Sequence, residues 1–275
     1  MKTFALALGG GGARGIAHIA VVEALDEMGV KPAALAGTSI GSLVGAAYAA
    51  GMSGKEIRRY VVALAHDRSE MFRRLLGARA GTFASLFKQG FGSVTLVDAE
   101  KLCARFLPEE IPADFGDLAI PLTVLASDLY RREPVAFTTG PLRPALAASI
   151  ALPTLARPVV IDQRILIDGG ATNPLPFDQL RGRADVIVAV DISGEPSETR
   201  RDIPNPWECL ITTVLVMGNA IISEKLKHGA PDLMIRPKVG IFRTLDFFQA
   251  SAILRAAEPA KAEIKHKLAA LLGAD

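Results

Sequence analysis

Cysteine is almost missing from this chain of 275 residues: Cys103 and Cys209 are the only two, far apart. Neither has the spacing of a thiolate metal site or a redox pair, and two lone thiols do not make a disulfide framework. A reduced, cytoplasmic setting is expected, with no metal and no cofactor. An excess of charge is missing too. Lys and Arg number 31 against 29 Asp and Glu, a formal net charge of +2. That balance supplies no field to hold a polyanion, so no nucleic-acid partner is expected. The pairs Arg58-Arg59, Arg73-Arg74, Arg131-Arg132 and Arg200-Arg201 read as solvated faces or loop positions, and a local contact of one of them with anionic lipid stays open.

Long apolar runs are equally scarce. Leu210 to Ile222 comes nearest, but Thr212, Thr213, Gly218 and Asn219 interrupt it. It falls short of the ~20 residues that span a bilayer, and no spanning helix is expected. Phe4 to Leu8 is too short for the core of a secretory signal and runs straight into glycines. Repeats and low-complexity linkers are absent. Glu195 to Pro206, the most loop-like stretch, does not read as a domain boundary.

What is present is a 50% hydrophobic composition over a length that can bury a large core. One domain over residues 1–275 is expected, its motifs within 4–191, followed by a helical extension from about 206 to 275. Phe4 to Leu8 is an unbroken apolar run ending in glycine, the pattern of a central strand buried on both faces. A glycine loop, a helix stopped at Gly29, a second strand from Lys31 to Ala36 and a further helix follow, a parallel α/β beginning. Ser53 with Glu56 forms a capping box for a helix to about Leu64. Between His66 and Val97, Phe72, Leu75-Leu76, Phe83, Leu86-Phe87 and Phe91 sit among Arg, Lys and Gly. This composition fits either helices packed over the sheet or a mobile amphipathic cover, with a lid over Met71 to Phe91 left open. Strands are expected at Pro121 to Ser127, Pro134 to Phe137, Ala184 to Asp191 and Leu233 to Ile235, with a hairpin turning at Asp162-Gln163. Helices are expected at Asp98 to Phe106, Pro144 to Ile150, Pro206 to His228 and Ile253 to Leu272.

Gly37-Thr38-Ser39-Ile40-Gly41 joins the second strand to its helix. A serine on so tight a strand-to-helix turn has its hydroxyl lifted clear of the backbone, and the flanking glycines leave room for another segment or a substrate. A plain glycine-rich connection fits the same five residues. Gly10 to Gly15 fits the loose G-x-G-x-x-G pattern of dinucleotide sites, but that reading needs an acid about 20 positions on, where this chain has Gly37-Thr38-Ser39. The other reading makes the amides of Gly10, Gly11, Gly12, Ala13 and Arg14 a set of donors for a developing oxyanion. Both loops leave the same ends of neighbouring parallel strands, which sets donors and serine side by side.

A base is needed. His18 sits one turn into the first helix and points away from the serine; His66, His228 and His266 lie in charged or solvated stretches. Each remains only an outside candidate for a Ser-His-Asp triad. Asp168, delivered by Ile165-Leu166-Ile167 onto Gly169-Gly170, is the better placed, although an Asp-Gly-Gly turn that satisfies its own backbone competes with that role. Burial beside those aliphatic residues is expected to raise its pKa toward the range useful to a base.

Taken together, Gly10-Gly11-Gly12-Ala13-Arg14-Gly15, Gly37-Thr38-Ser39-Ile40-Gly41 and Asp168-Gly169-Gly170 resemble the three motif blocks of the patatin-like phospholipases, most nearly their compact bacterial branch. Ser149 to Pro153 and Asn173-Pro174-Leu175-Pro176 look like that family's flanking segments, and the likeness runs from about Phe4 to Asp191. Leu155-Ala156-Arg157 departs from it where an aromatic is expected. The resemblance implies a three-layer α/β/α fold with a mainly parallel sheet. It also implies a Ser39-Asp168 dyad without histidine or metal, acting on acyl esters of lipids. The partners implied are a lipid or acyl-ester substrate and transient peripheral membrane contact, with oligomeric state unspecified. An acyltransferase using the same acyl-serine, or a lipid- or nucleotide-binding module without turnover, are the alternatives.

Overall fold

The computed structural model describes residues 2–78, 97–153, 155–194, 203 and 206–273. Its centre is an eight-stranded sheet. β1 (Phe4–Leu8) lies between β2 (Ala34–Thr38) and β7 (Val186–Val190), parallel to both. β3 (Leu122–Asp128) runs parallel to β2, and β8 (Leu233–Ile235) parallel to β7. Two strands run the other way, β4 (Glu133–Phe137) and β6 (Arg164–Asp168), both antiparallel to β3; β5 (Val159–Ile161) pairs antiparallel with β6 and so returns to the direction of β3. The β5–β6 turn at Asp162 and Gln163 has φ of 49° and 63°, the pair of positive values that a tight two-residue hairpin requires.

The register of β3 decides where the site forms. Its residues 124–128 pair with β4, so β4 holds one edge. The other edge is shared: β2 covers it from Leu122 to Leu125, and β6 from Ala126 to Asp128. β2 therefore ends at Thr38, opposite Leu125, just where β6 ends from the opposite direction at Asp168, opposite Ala126. Two strands that are distant in sequence meet end to end.

Both faces of the sheet are covered. Phe4, Leu6 and Leu8 point into the larger core, packed by α1 (His18–Met28), α2 (Ile40–Ala49), α6 (Leu142–Ser149) and α8 (Ala250–Leu272). Ala5 and Ala7 point the other way with Ala34, Ala36 and Ala189, where small side chains let the short 3-10 turn Phe177–Leu180 lie close. α3 (Gly54–His66) packs on α1 and carries the expected capping box, Ser53 Oγ accepting from the Glu56 amide and Glu56 accepting from the Ser53 amide. α4 (Arg68–Gly77) and α5 (Ala99–Phe106) follow it. The stretch 79–96, with Phe83, Leu86, Phe87 and Phe91, lies outside the described residues, and so does most of the lid expectation.

One expectation needs correction. The run around Leu210 to Ile222, judged too broken to span, belongs to α7 (Pro206–Lys227), and Cys209–Lys227 is long and apolar enough to cross a membrane by length and composition. Thr212, Thr213, Gly218 and Asn219 do not break the helix. Its inner face is committed to the domain: Gly218 and Ile222 are buried, and Lys225 donates to Asn173 Oδ1 at 2.5 Å and to the Leu175 carbonyl at 2.8 Å and is paired with Asp178.

Candidate active site

At the end of β2 the chain turns directly into α2. Ser39, the residue between them, has φ 55° and ψ −126°, a conformation that costs a side-chain-bearing residue roughly 1–3 kcal/mol. The glycines around it answer to close packing. A Cβ on Gly41 would stand 2.2 Å from the Leu8 carbonyl oxygen, and one on Gly37 2.5 Å from Ser42 Cα. Only with both bare can α2 start so close to β1 and hold the serine at the strand's tip. Ser42 locks the turn by donating from Oγ to the Ser39 carbonyl at 2.6 Å.

Asp168 arrives from the facing strand. Its Oδ2 accepts from Ser39 Oγ at 2.6 Å, and its Oδ1 from the Gly170 amide at 2.7 Å. Its main chain is fixed as well: the amide donates to Ala151 O at 3.0 Å and the carbonyl accepts from Ser127 Oγ at 3.0 Å. Gly169 is needed here because a Cβ would meet the Leu125 carbonyl oxygen at 2.3 Å, so the chain leaves β6 hard against β3. Only 6% of Asp168 is exposed. Burial raises its pKa to about 6 against the opposing pull of the Ser39 and Gly170 hydrogen bonds.

The glycine loop runs along the other side of Ser39, close enough that a Cβ on Gly10 would lie 3.4 Å from Ser39 Cβ. It is tied down at several points, and this narrows the donor set. The Gly10 amide donates to Pro174 O at 2.9 Å and the Ala13 amide to Thr244 O at 2.8 Å. These two are corrections: both amides were candidate oxyanion donors, and both are occupied in fixing the loop. Arg14 sends its guanidinium away to the carbonyls of Phe242, at 2.9 Å, and Ser193, which makes it an anchor of the loop. Gly15 packs where a Cβ would strike Ile40 Cγ2 at 2.1 Å. The Gly11 and Gly12 amides remain without an acceptor among the described residues, and both glycines line the cleft with Ser39 and Asp168.

That cleft is open to solvent at its mouth and narrow inside, with a cavity volume of about 60 Å³. Ile211, Val214, Leu215, Gly218 and Ile222 of α7 form an apolar wall opposite the glycine loop, with Leu152 and Pro174 beside it. The histidines stay out of it. His18 is fully buried and bonds the Gly9 carbonyl through Nε2 at 2.8 Å, burial lowering its pKa to about 4. His66, His228 and His266 are exposed.

Sequence reasoning passed over two supporting groups. Ser149 Oγ, at the end of α6, accepts the Ser39 amide at 2.9 Å and fixes the orientation of the turn. Thr38 Oγ1 donates to Asn173 O at 2.8 Å, tying the end of β2 to the loop that follows Asp168. Ser149 stood within a recognised flanking segment, but nothing local marked its hydroxyl as an acceptor.

The α/β fold thus brings together, in one cleft, a serine in a strained strand-to-helix turn, a buried carboxylate bonded to it and unengaged glycine amides. Comparison supplies the family. The family described as patatin-like phospholipase matches residues 6–181, and the chain belongs to that family. An uncharacterised NTE family protein of Mycobacterium tuberculosis is 36% identical over 199 residues, 72% of this chain and 51% of its own length. Patatin-like phospholipase domain-containing protein 7 of Rattus norvegicus is 30% identical over 276 residues, 90% of this chain and 19% of its own. A lysophospholipase, nte1, of Aspergillus fumigatus is 31% identical over 204 residues, 72% of this chain and 12% of its own. The chain thus spans about half or less of these relatives. In fold it is similar to VipD of Legionella pneumophila, with a TM-score of 0.54 at 16% identity over 97% of this chain and 67% of that one.

Proposed function

We propose that this protein is a serine acyl hydrolase that cleaves carboxylic ester bonds of lipids, phospholipid or lysophospholipid, through Ser39 and Asp168. The observation that carries the reading is the 2.6 Å hydrogen bond from Ser39 Oγ to Asp168 Oδ2 on the floor of an apolar cleft. Family membership and the lysophospholipase among the relatives support a lipid ester as substrate. Ser39 Oγ attacks the ester carbonyl carbon while its proton passes to Asp168 Oδ2. The carbonyl oxygen becomes an oxyanion, held by the Gly11 and Gly12 amides. Collapse breaks the ester bond; the alcohol leaves with the proton from Asp168, and the acyl group stays on Ser39. Water then gives a proton to Asp168, attacks the acyl-serine and releases the carboxylic acid, and the proton returns to Ser39.

The outer face of α7 is part of this proposal. Leu210, Val216 and Met217 are 45%, 62% and 61% exposed on the helix whose inner face lines the cleft. Ile241 and Phe248 stand exposed on either side of Thr244, a cleft residue. An apolar rim of this kind rests on the surface of a lipid aggregate, from which substrate enters without crossing water. The protein then works from the cytoplasm with transient membrane contact.

The test is a fluorophosphonate probe with mass mapping of the label, run on the wild type, Ser39→Ala and Asp168→Asn. The expected label sits on Ser39 and is lost in Ser39→Ala. A label on another serine, or full p-nitrophenyl ester turnover in Asp168→Asn, overturns the assignment.

A further inference from the structure

Asn173-Pro174-Leu175 touches every part of the site. The Asn173 amide donates to the Gly169 carbonyl at 2.8 Å, next to Asp168, and the Asn173 carbonyl accepts from Thr38 Oγ1 at 2.8 Å, next to Ser39. The Pro174 carbonyl accepts from the Gly10 amide at 2.9 Å and so fixes the upstream end of the glycine loop. Leu175 lies against the same loop, its Cδ1 3.1 Å from where a Cβ on Gly9 would stand. The loop needs this support. Gly9 to Gly12 has no side chain with which to hold itself, and four successive glycines leave the aim of the Gly11 and Gly12 amides to whatever grips their ends.

The grip on the segment comes from α7. Lys225 Nζ donates to Asn173 Oδ1 at 2.5 Å and to the Leu175 carbonyl at 2.8 Å, one bond on each side of Pro174, and is paired with Asp178. Its side chain is only 21% exposed, and burial lowers its pKa. An ammonium taken so far out of water is costly, and an ion pair formed there returns little net stability. Two of the three acceptors it gains belong to the segment that fixes the loops around Ser39.

We infer that Lys225 is a positioning residue: through Asn173 and Leu175 it holds Pro174, and thereby the Gly11 and Gly12 amides, in register with Ser39 and Asp168. The inference rests on the hydrolase reading and extends it to a helix beyond residues 6–181, where the family match ends. Lys225 does not line the cleft. Its loss acts on the placement of donors for an oxyanion that forms only in the transition state, so kcat falls and KM stays. A charge that merely anchored α7 would act on folding alone, and each folded molecule would keep its full kcat.

The experiment compares Lys225→Met, Lys225→Arg and Asp178→Asn with wild type on p-nitrophenyl butyrate, with kcat counted per serine titrated by the fluorophosphonate probe. Lys225→Met should lose about 10- to 100-fold in kcat with KM within about twofold of wild type, the scale of a small misplacement of catalytic groups. Lys225→Arg, which keeps a cationic donor, should recover most of that loss. Asp178→Asn removes the ion pair, keeps an acceptor for the Asn173 side chain and leaves both Lys225 bonds to the segment. It should melt lower than wild type with kcat unchanged. Lys225→Gln, a milder change that retains a donor on a side chain one atom shorter, serves if Lys225→Met does not fold, and its kcat should fall in the same direction. Wild-type kcat in the folded Lys225 variants, or an equal loss in Asp178→Asn, overturns the inference. Amide hydrogen exchange separates this from a failure of the hydrolase reading. Should the wild type turn over no ester while the glycine loop exchanges faster in Lys225→Met than in wild type, the hydrolase reading fails and the hold of Lys225 on the loop stands; unchanged exchange refutes that hold.

Discussion

Asp168→Asn should make this protein more stable at neutral pH while removing its activity. Asp168 is held in a site that disfavours its charged form: burial lifts its pKa from 3.8 to about 6. Between those values the folded state binds more protons than the unfolded one, so the sign is fixed. Stability present below the unfolded value is lost as pH rises through the folded value. The full difference amounts to about 3 kcal/mol at neutral pH, from 1.36 kcal/mol per pH unit. About 2 kcal/mol of it develops between pH 4.5 and pH 7.5. An asparagine has nearly the same shape, can keep the acceptor that faces the Gly170 amide, and has no charge to desolvate. Urea unfolding of wild type and variant at both pH values isolates the effect, because every other titrating group cancels in the comparison. The variant should gain about 2 kcal/mol relative to wild type on going from pH 4.5 to pH 7.5. A stability difference independent of pH would refute the reasoning, and so would wild-type kcat/KM with its acid limb near pH 4 in place of about 6.

Three further outcomes test the surroundings of the site. Ser149→Ala leaves the Ser39 amide without its 2.9 Å acceptor; urea denaturation should register a loss of about 1–3 kcal/mol, and ester turnover should fall with it. Gly41→Ala forces a methyl group to within 2.2 Å of the Leu8 carbonyl oxygen, so expression should give insoluble chain or a stability loss above about 4 kcal/mol, and a wild-type melting curve would contradict the packing described. Val216→Asp with Met217→Asp places two charges on the exposed face of α7. Co-sedimentation with phospholipid vesicles should drop severalfold while soluble butyrate-ester turnover is kept, and unchanged sedimentation would remove the lipid-surface role of that helix.

Much of the fold was legible because strands buried on both faces carry almost no polar residues. Phe4 to Leu8 and the stretch around Val186 to Val190 announce themselves as unbroken apolar runs, and both are central strands. Ser53 and Glu56 announce a helix start for an equally local reason. The antiparallel character of β6 followed from its hairpin with β5. What it does to the site did not, because the meeting of β2 and β6 depends on the register of β3. The donor set was legible only as a group of five amides. Which of them are occupied is decided by Pro174 and Thr244, carbonyls far downstream that no local pattern connects to the loop. α7 was legible as a helix, expected at Pro206 to His228 and observed at Pro206–Lys227; only the length of its apolar run was underestimated, because Thr212, Thr213, Gly218 and Asn219 look like interruptions along the sequence.

The pairing of Ser39 with an aspartate raises a question of basicity that the same burial answers. An ordinary aspartate near 3.9 is a far weaker proton acceptor than an imidazole near 6.5. Enclosed at the end of β6, Asp168 reaches about 6, within reach of a histidine's ordinary value. On the proposed function, a third residue then has little left to do. In a triad the acid fixes the tautomer and orientation of the histidine; a carboxylate has no tautomer to fix, and the Gly170 amide already holds its Oδ1. The cost is the desolvation of a charge and the strained backbone at Ser39, both concentrated where β2 and β6 run into each other. A site assembled at such a junction is held by the whole sheet on either side, and that allows a desolvated carboxylate and a strained turn to persist at contact distance.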